Sequence, residues 1–166
     1  MGSILLCNPL FSMESKNEFV DVAVKLKQKF HRDGSPAYLE CRDSQTFPHR
    51  GLAVRSFHIK PKDGEFKDII VGEIGTKYNI HKKQVEIGWI EVYEKYQRHG
   101  YGESAVRIVL GIYRSKMNQK LDFDHFFLTV GKGRDREAAR ELYKKVGFSI
   151  QQDLDEIGYL YLTLNR

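Results

Sequence analysis

At 166 residues the chain is long enough to bury most of its apolar surface as one domain, and 41% hydrophobic with 12% aromatic residues excludes a disordered or low-complexity polymer. Twenty-seven Lys and Arg against 22 Asp and Glu leave a net charge of +5 and a pI near 9.1, a balance that suits an anionic ligand, whether a nucleotide cofactor or a nucleic acid. Cys7 and Cys41 have no metal-ligand spacing and fit a reducing compartment, and the apolar runs at 4–6 and 10–11, split by Asn8-Pro9, are too short to span a bilayer. The expectation is a cytoplasmic protein with no membrane partner, one domain over residues 1–166, monomeric or homodimeric.

In chain order, Ser15 followed by Glu18 has the form of a capping box. Phe19, Ala23, Leu26 and Phe30 recur on one helical face until Asp33-Gly34, which predicts a helix over 15–32. Four β-rich runs follow at 36–42, 52–59, 67–78 and 85–93, separated by Pro, Gly, Asp, Asn and Lys, and they read as an antiparallel meander. From 100 to about 119 the apolar positions Ala105, Ile108, Val109, Ile112 and Tyr113 return to helical spacing, and 123–130 reads as a buried strand. Asp135 is placed to cap a helix bearing Ala138, Ala139, Leu142 and Val146 and stopped by Gly147, with a closing strand at 159–164. The strand, helix, strand succession needs a crossover, so the architecture is a mixed α/β (α+β) sheet with helices on both faces.

The functional signal is concentrated in Gln97-Arg98-His99-Gly100-Tyr101-Gly102, between a strand and a helix. Two glycines one residue apart allow positive φ and close approach of the backbone, while the unpaired N–H groups of the helix start face an anion. Six histidines show no metal-ligand spacing, so no metal is expected, and neither a Walker pattern nor a nucleophile elbow is present.

The run from Glu86 to Val92 with the Gln97 to Gly102 turn resembles motif A of the GNAT superfamily of acetyl-CoA-dependent N-acetyltransferases. Leu142-Tyr143-Lys144-Lys145-Val146-Gly147-Phe148 is similar to its motif B. The resemblance implies a mostly antiparallel sheet of about seven strands and acetyl-CoA as co-substrate. It implies that backbone N–H groups from Arg98 to Glu103, taking in His99, Gly100, Tyr101 and Gly102, hold the pyrophosphate, and that Ile90, Glu91 and Val92 meet the pantetheine arm. It makes Tyr143 the general acid, against the alternative of a core tyrosine. Glu86, eleven residues before Gln97, falls where histone-type members carry a strand glutamate as base; Glu91 is the rival, and alternation puts the two on opposite faces unless a bulge intervenes. Arg136 stands where the family commonly has a cofactor-contacting asparagine, so Lys132, Arg134 or Arg136 is a candidate for a coenzyme A phosphate. Trp89 and Tyr93 read as packing residues, and Tyr159 and Tyr161 as packing residues or liners of the acceptor cleft.

The acceptor stays open at this level: a protein lysine or N-terminus, a polyamine, an amino sugar, or an aminoacyl-tRNA as the one nucleic-acid partner compatible with this reading. A non-catalytic acyl-CoA-binding module and a basic nucleic-acid-binding protein are the alternatives.

Overall fold

The four β-rich runs fold as the meander that their punctuation implies. A computed structural model describes residues 24–166. The strands are β1 (Lys29–Phe30), β2 (Ala37–Phe47), β3 (Leu52–Pro61), β4 (Gly72–Asn79), β5 (Gln84–Val92), β6 (His125–Gly131), β7 (Ser149–Leu154) and β8 (Tyr159–Asn165). They form one sheet in the order β1-β2-β3-β4-β5-β6-β8-β7. Every neighbouring pair is antiparallel except β5 and β6. Helix α1 (Tyr101–Arg114) makes the crossover from β5 to β6, and α2 (Glu137–Val146) that from β6 to β7.

The two crossovers advance in the same direction along the sheet, so right-handed connections bring both helices to one face. The strands present Leu39, Phe57, Ile74, Val85, Phe126 and Leu162 to that face, and α1 covers them with Ala105, Ile108, Val109, Ile112 and Tyr113, all buried as their spacing predicts. Burial of a large apolar side chain contributes about 1.5–3 kcal/mol, so α1 is held by its packed face more than by intrinsic helix propensity. The Tyr113 hydroxyl lies 2.7 Å from the Thr76 hydroxyl, tying α1 to the middle of β4.

The predicted helix over 15–32 is overturned in its described part, residues 24–32; residues 15–23 lie outside the described residues. Leu26 is 61% exposed, and the backbone pairs with β2 instead: Lys27 N–H donates to Cys41 O and Cys41 N–H to Gln28 O, before Lys29 and Phe30 continue the ladder. An open sheet edge outbid a helical periodicity that rested on two residues here. Residues 67–71 also depart from expectation. They form a loop pinned by Val71 N–H on Ile59 O and by Tyr38 hydroxyl on Asp68 Oδ1 at 2.8 Å, and the strand starts at Gly72. Asp135 sits in a 3-10 turn ahead of α2 and does not cap it. Strand β7 was not predicted, because its polar run has no clean alternation; as an edge strand it needs none.

Candidate active site

Strands β5 and β6 pair only at Gln84 with His125, Val85 with Phe126 and Glu86 with Phe127, then part. Beyond that fork lies a slot of about 1000 Å³ walled by Ile90 and Val92 of β5, the turn and first residues of α1, and Ala138, Ala139, Leu142 and Tyr143 of α2.

The turn at the far end of the slot is built by backbone conformation. Arg98 (φ 66°) and Gly100 (φ 78°) are both left-handed, which aims successive N–H groups into one concavity. Among the described residues no acceptor receives the N–H groups from Arg98 through Glu103, and Ser104 N–H makes the first helical bond, to Gly100 O. The Gln97 amide donates to Val92 O at 2.9 Å, so its side chain fastens the turn to the end of β5. A Cβ on Gly102 would stand 3.4 Å from Leu142 and 3.6 Å from Val92; a larger side chain there narrows the slot. His99 stacks on Tyr101 with centroids 5.4 Å apart and meets Phe66 edge-on, away from the slot.

Glu103, at the start of α1, reaches Lys145 on α2 and Arg107 on its own helix, both at 3.1 Å. The hydrogen bond from Lys145 is the main reason its carboxyl is held below the usual range; burial opposes it, and Arg107 adds to the lowering. This ion pair crosses the slot beside the unpaired N–H groups. Lys145 is a site residue that the motif reading passed over; the signal was present, since it lies three residues after Leu142 and shares its helical face.

Gly147, at φ 115°, ends α2 and lets the N–H groups of Gly147 and Phe148 bond back to Tyr143 O, which is why glycine follows the tyrosine at this spacing. The Tyr143 side chain is 6% exposed, lines the slot, and meets Phe148 with centroids 6.1 Å apart. Burial pushes its hydroxyl above the ordinary tyrosine value, with the nearby Arg136 charge opposing, so it remains protonated at neutral pH.

On β5 the register against β4 slips at Gly88: Ile87 faces Thr76 while Trp89 faces Gly75. This bulge puts Glu86, Trp89 and Glu91 together on the face opposite the helices, instead of splitting the two carboxylates. Glu86 is half-buried, between Lys77 on β4 and Phe127 on β6. Glu91 is exposed and faces Glu73, whose carboxylate is already taken by Arg42 at 2.7 Å.

Residues 23–148 match the model of the acetyltransferase (GNAT) family. The chain belongs to that family. The protein is therefore an acyltransferase, and its fold is that of solved GNAT structures. A variant of the spermidine/spermine N-acetyltransferase SpeG from Vibrio cholerae is 17% identical, with TM-score 0.54 over 68% of this chain and 66% of that one. A GNAT family acetyltransferase from Elizabethkingia anophelis with acetyl-CoA bound is 18% identical, with TM-score 0.53 over 68% and 76%. NAA60 of Arabidopsis thaliana, in complex with a bisubstrate analogue, is 15% identical, with TM-score 0.52 over 68% and 76%. No curated protein matches the sequence. Among the described residues there is no metal-binding cluster and no helix long and apolar enough to cross a membrane.

Within this GNAT site, Ile90, Val92, Gln97, Arg98, Gly100, Tyr101, Gly102, Glu103 and Tyr143 all line the slot. Glu86, Glu91, His99 and Arg136 do not: the bulge sets Glu86 and Glu91 together on the outer face, His99 packs on its aromatic neighbours, and Arg136 lies out beside Asp135 at 3.6 Å. The basic loop is likewise directed elsewhere. Lys132 pairs with Asp153 at 2.8 Å, and Arg140 fastens the loop through the Gly131 and Gly133 carbonyls.

Proposed function

We propose that the protein transfers the acetyl group of acetyl-CoA to a primary amine by direct attack, as one domain. The observation that carries this is the fork. Unpaired backbone donors stand at one end of the slot, the buried Tyr143 lines it from the helix side, and Glu86 stands at the last paired position of the fork on the opposite face of the sheet. The row of free N–H groups, the narrow gap at Gly102 and the cations Arg98, Lys144 and Lys145 fit a phosphate-bearing, extended cofactor.

Bound acetyl-CoA supplies a thioester whose acyl carbon accepts a nucleophile. The N–H groups of Arg98 to Glu103 would hold its pyrophosphate, and β5 from Ile90 to Val92, unpaired on its fork side, would hold its amides. From Val92 back to Glu86 is about 20 Å of strand, so a cofactor held at the turn extends along β5 to the fork. Glu86 takes a proton from the acceptor ammonium, freeing the nitrogen lone pair. The C–N bond forms as the C–S bond breaks, and the Tyr143 hydroxyl provides a proton for the departing sulfur; the second nitrogen proton passes to solvent. Acid and base stand on opposite faces, so amine and thiol need not share one side of the acyl group.

Calorimetric titration with acetyl-CoA, followed by thiol release against a panel of amines, tests the reading. Binding with release on one amine class supports it. Binding without release on any class favours an inert acyl-CoA-binding module, and absence of binding removes the cofactor assignment of the turn.

A further inference from the structure

The outer face of the sheet at the fork carries a group of side chains that the cofactor slot does not use. Phe127 stands beside Glu86 in register, and Tyr161, one strand further, lies with its ring centroid 5.4 Å from that of Phe127. Burial raises the Tyr161 hydroxyl, and the negative charge of Glu86 raises it further, which puts carboxylate and hydroxyl within electrostatic reach. Just past the bulge the Trp89 indole lies directly over Gly75. A Cβ there would fall 2.0–2.2 Å from the indole carbons, so the missing side chain is what lets the ring lie down, yet Trp89 stays 38% exposed.

The charges nearby are mostly spoken for. Glu40, His58, Glu73 and Glu91 form a row across β2 to β5, in which Glu40 is paired with Lys60 at 3.1 Å and Glu73 with Arg42 at 2.7 Å. Lys77 faces Glu86 from β4.

We propose, on the basis of the acetyl-transfer reading above, that this aromatic wall selects an acceptor bearing a single primary ammonium next to an apolar or aromatic group. The ammonium stands against Glu86 and the Phe127 ring, and the apolar group lies on Trp89. An ammonium over an aromatic face beside a carboxylate is doubly favoured. Along β4 a polyamine meets Lys77 and a Glu73 already neutralised; Glu91, beyond Trp89, is the carboxylate of that row with no ion pair among the described residues, which makes spermidine the competitor that decides the selection. The same chemistry comes from two sources, the first residue of a peptide chain or a free small amine.

The test is kcat/KM with saturating acetyl-CoA for two matched pairs, a tetrapeptide with leucine first against the same peptide with glycine first, and 2-phenylethylamine against ethanolamine, with spermidine as the multiply charged comparison. The apolar member should lead in at least one pair by about ten-fold or more, the range a hydrophobic pocket supplies, and the pair that responds names the source. Trp89→Ala should erase most of that lead while leaving acetyl-CoA binding by calorimetry unchanged, and Trp89→Phe should keep it. Equal rates within both pairs, or spermidine ahead of every other amine, would overturn the selection while leaving acetyl transfer standing. No thiol release with any amine would overturn both. If Trp89→Ala loses its far-ultraviolet dichroism, the comparison of wild type with Trp89→Phe and Tyr161→Phe decides, and a lead that is already absent in the wild type sinks the proposal.

Discussion

The two faces of β5 are built from different materials. Toward the helices the strand borders a slot whose chemistry is mainly backbone: left-handed Arg98 and Gly100, free N–H groups, and the gap at Gly102. On the outer face, the same strand presents side chains, Glu86, Trp89 and Glu91, brought into line by one bulge. A constant ligand can be read by backbone and a few glycines, whereas a variable one must be read by side chains. A sequence motif therefore reports the first face well and the second hardly at all.

The contrast can be broken first at the turn. Gly100→Glu puts bulk and negative charge among the free N–H groups, at a φ that a side chain strains to adopt, and should abolish acetyl-CoA binding in calorimetry. A folded variant that binds normally would show that the slot face is not the cofactor face. Across the sheet, Glu86→Gln should lower kcat by about 10²–10⁴-fold, the usual contribution of a positioned base, with Glu91→Gln close to wild type. Equal losses would mean that Glu91 shares the chemistry. Tyr143→Phe should lower kcat by about ten-fold to a thousand-fold with cofactor binding nearly intact, and unchanged turnover would demote the tyrosine to packing.

Stability at high pH tests the tie that positions the bulge. Burial pushes the Tyr113 hydroxyl up to about 12, with its Thr76 partner opposing. Unfolded tyrosine ionises near 10, so the native state holds this proton more tightly. The contribution is complete below pH 10 and is lost as pH rises from 10 through 12, amounting to about 2–3 kcal/mol. Urea unfolding at pH 9, 10.5 and 12 should show the decline, and Tyr113→Phe should remove Tyr113's part of it. The smallest effect is at the slot mouth. Glu103→Gln removes a carboxylate from an anion site and releases Lys145, so acetyl-CoA should bind about two- to five-fold tighter, less so in high salt. Weaker binding would mean that the Glu103 to Lys145 bridge holds α1 and α2 in register for the cofactor.

Where reading by sequence succeeded, the signal was local. Gly147 had to end α2 because the turn after Tyr143 needs a positive φ, and the buried stripe of α1 follows from a 3.6-residue period. The helix over 15–32 failed in its described part because β2 offered an open edge to Lys29 and Phe30, a partner ten residues away that no local periodicity encodes. Arg136 matched a family position by counting, yet the 3-10 turn from Arg134 to Arg136 leaves it outside the slot.

By itself the sequence determined the order of β2 to β6, β8 and the two described helices, the glycine turn at Gln97 to Gly102 and the tyrosine of α2, since each depends on residues within a few positions of one another. Tertiary structure alone decided the fork between β5 and β6, the bulge at Gly88 that sets Glu86 and Glu91 on one face, the Trp89 indole laid over Gly75, and the bridge from Glu103 to Lys145. Each of these joins segments that meet only when strands pair or helices pack, and the free energy that selects them belongs to the contact and not to either segment.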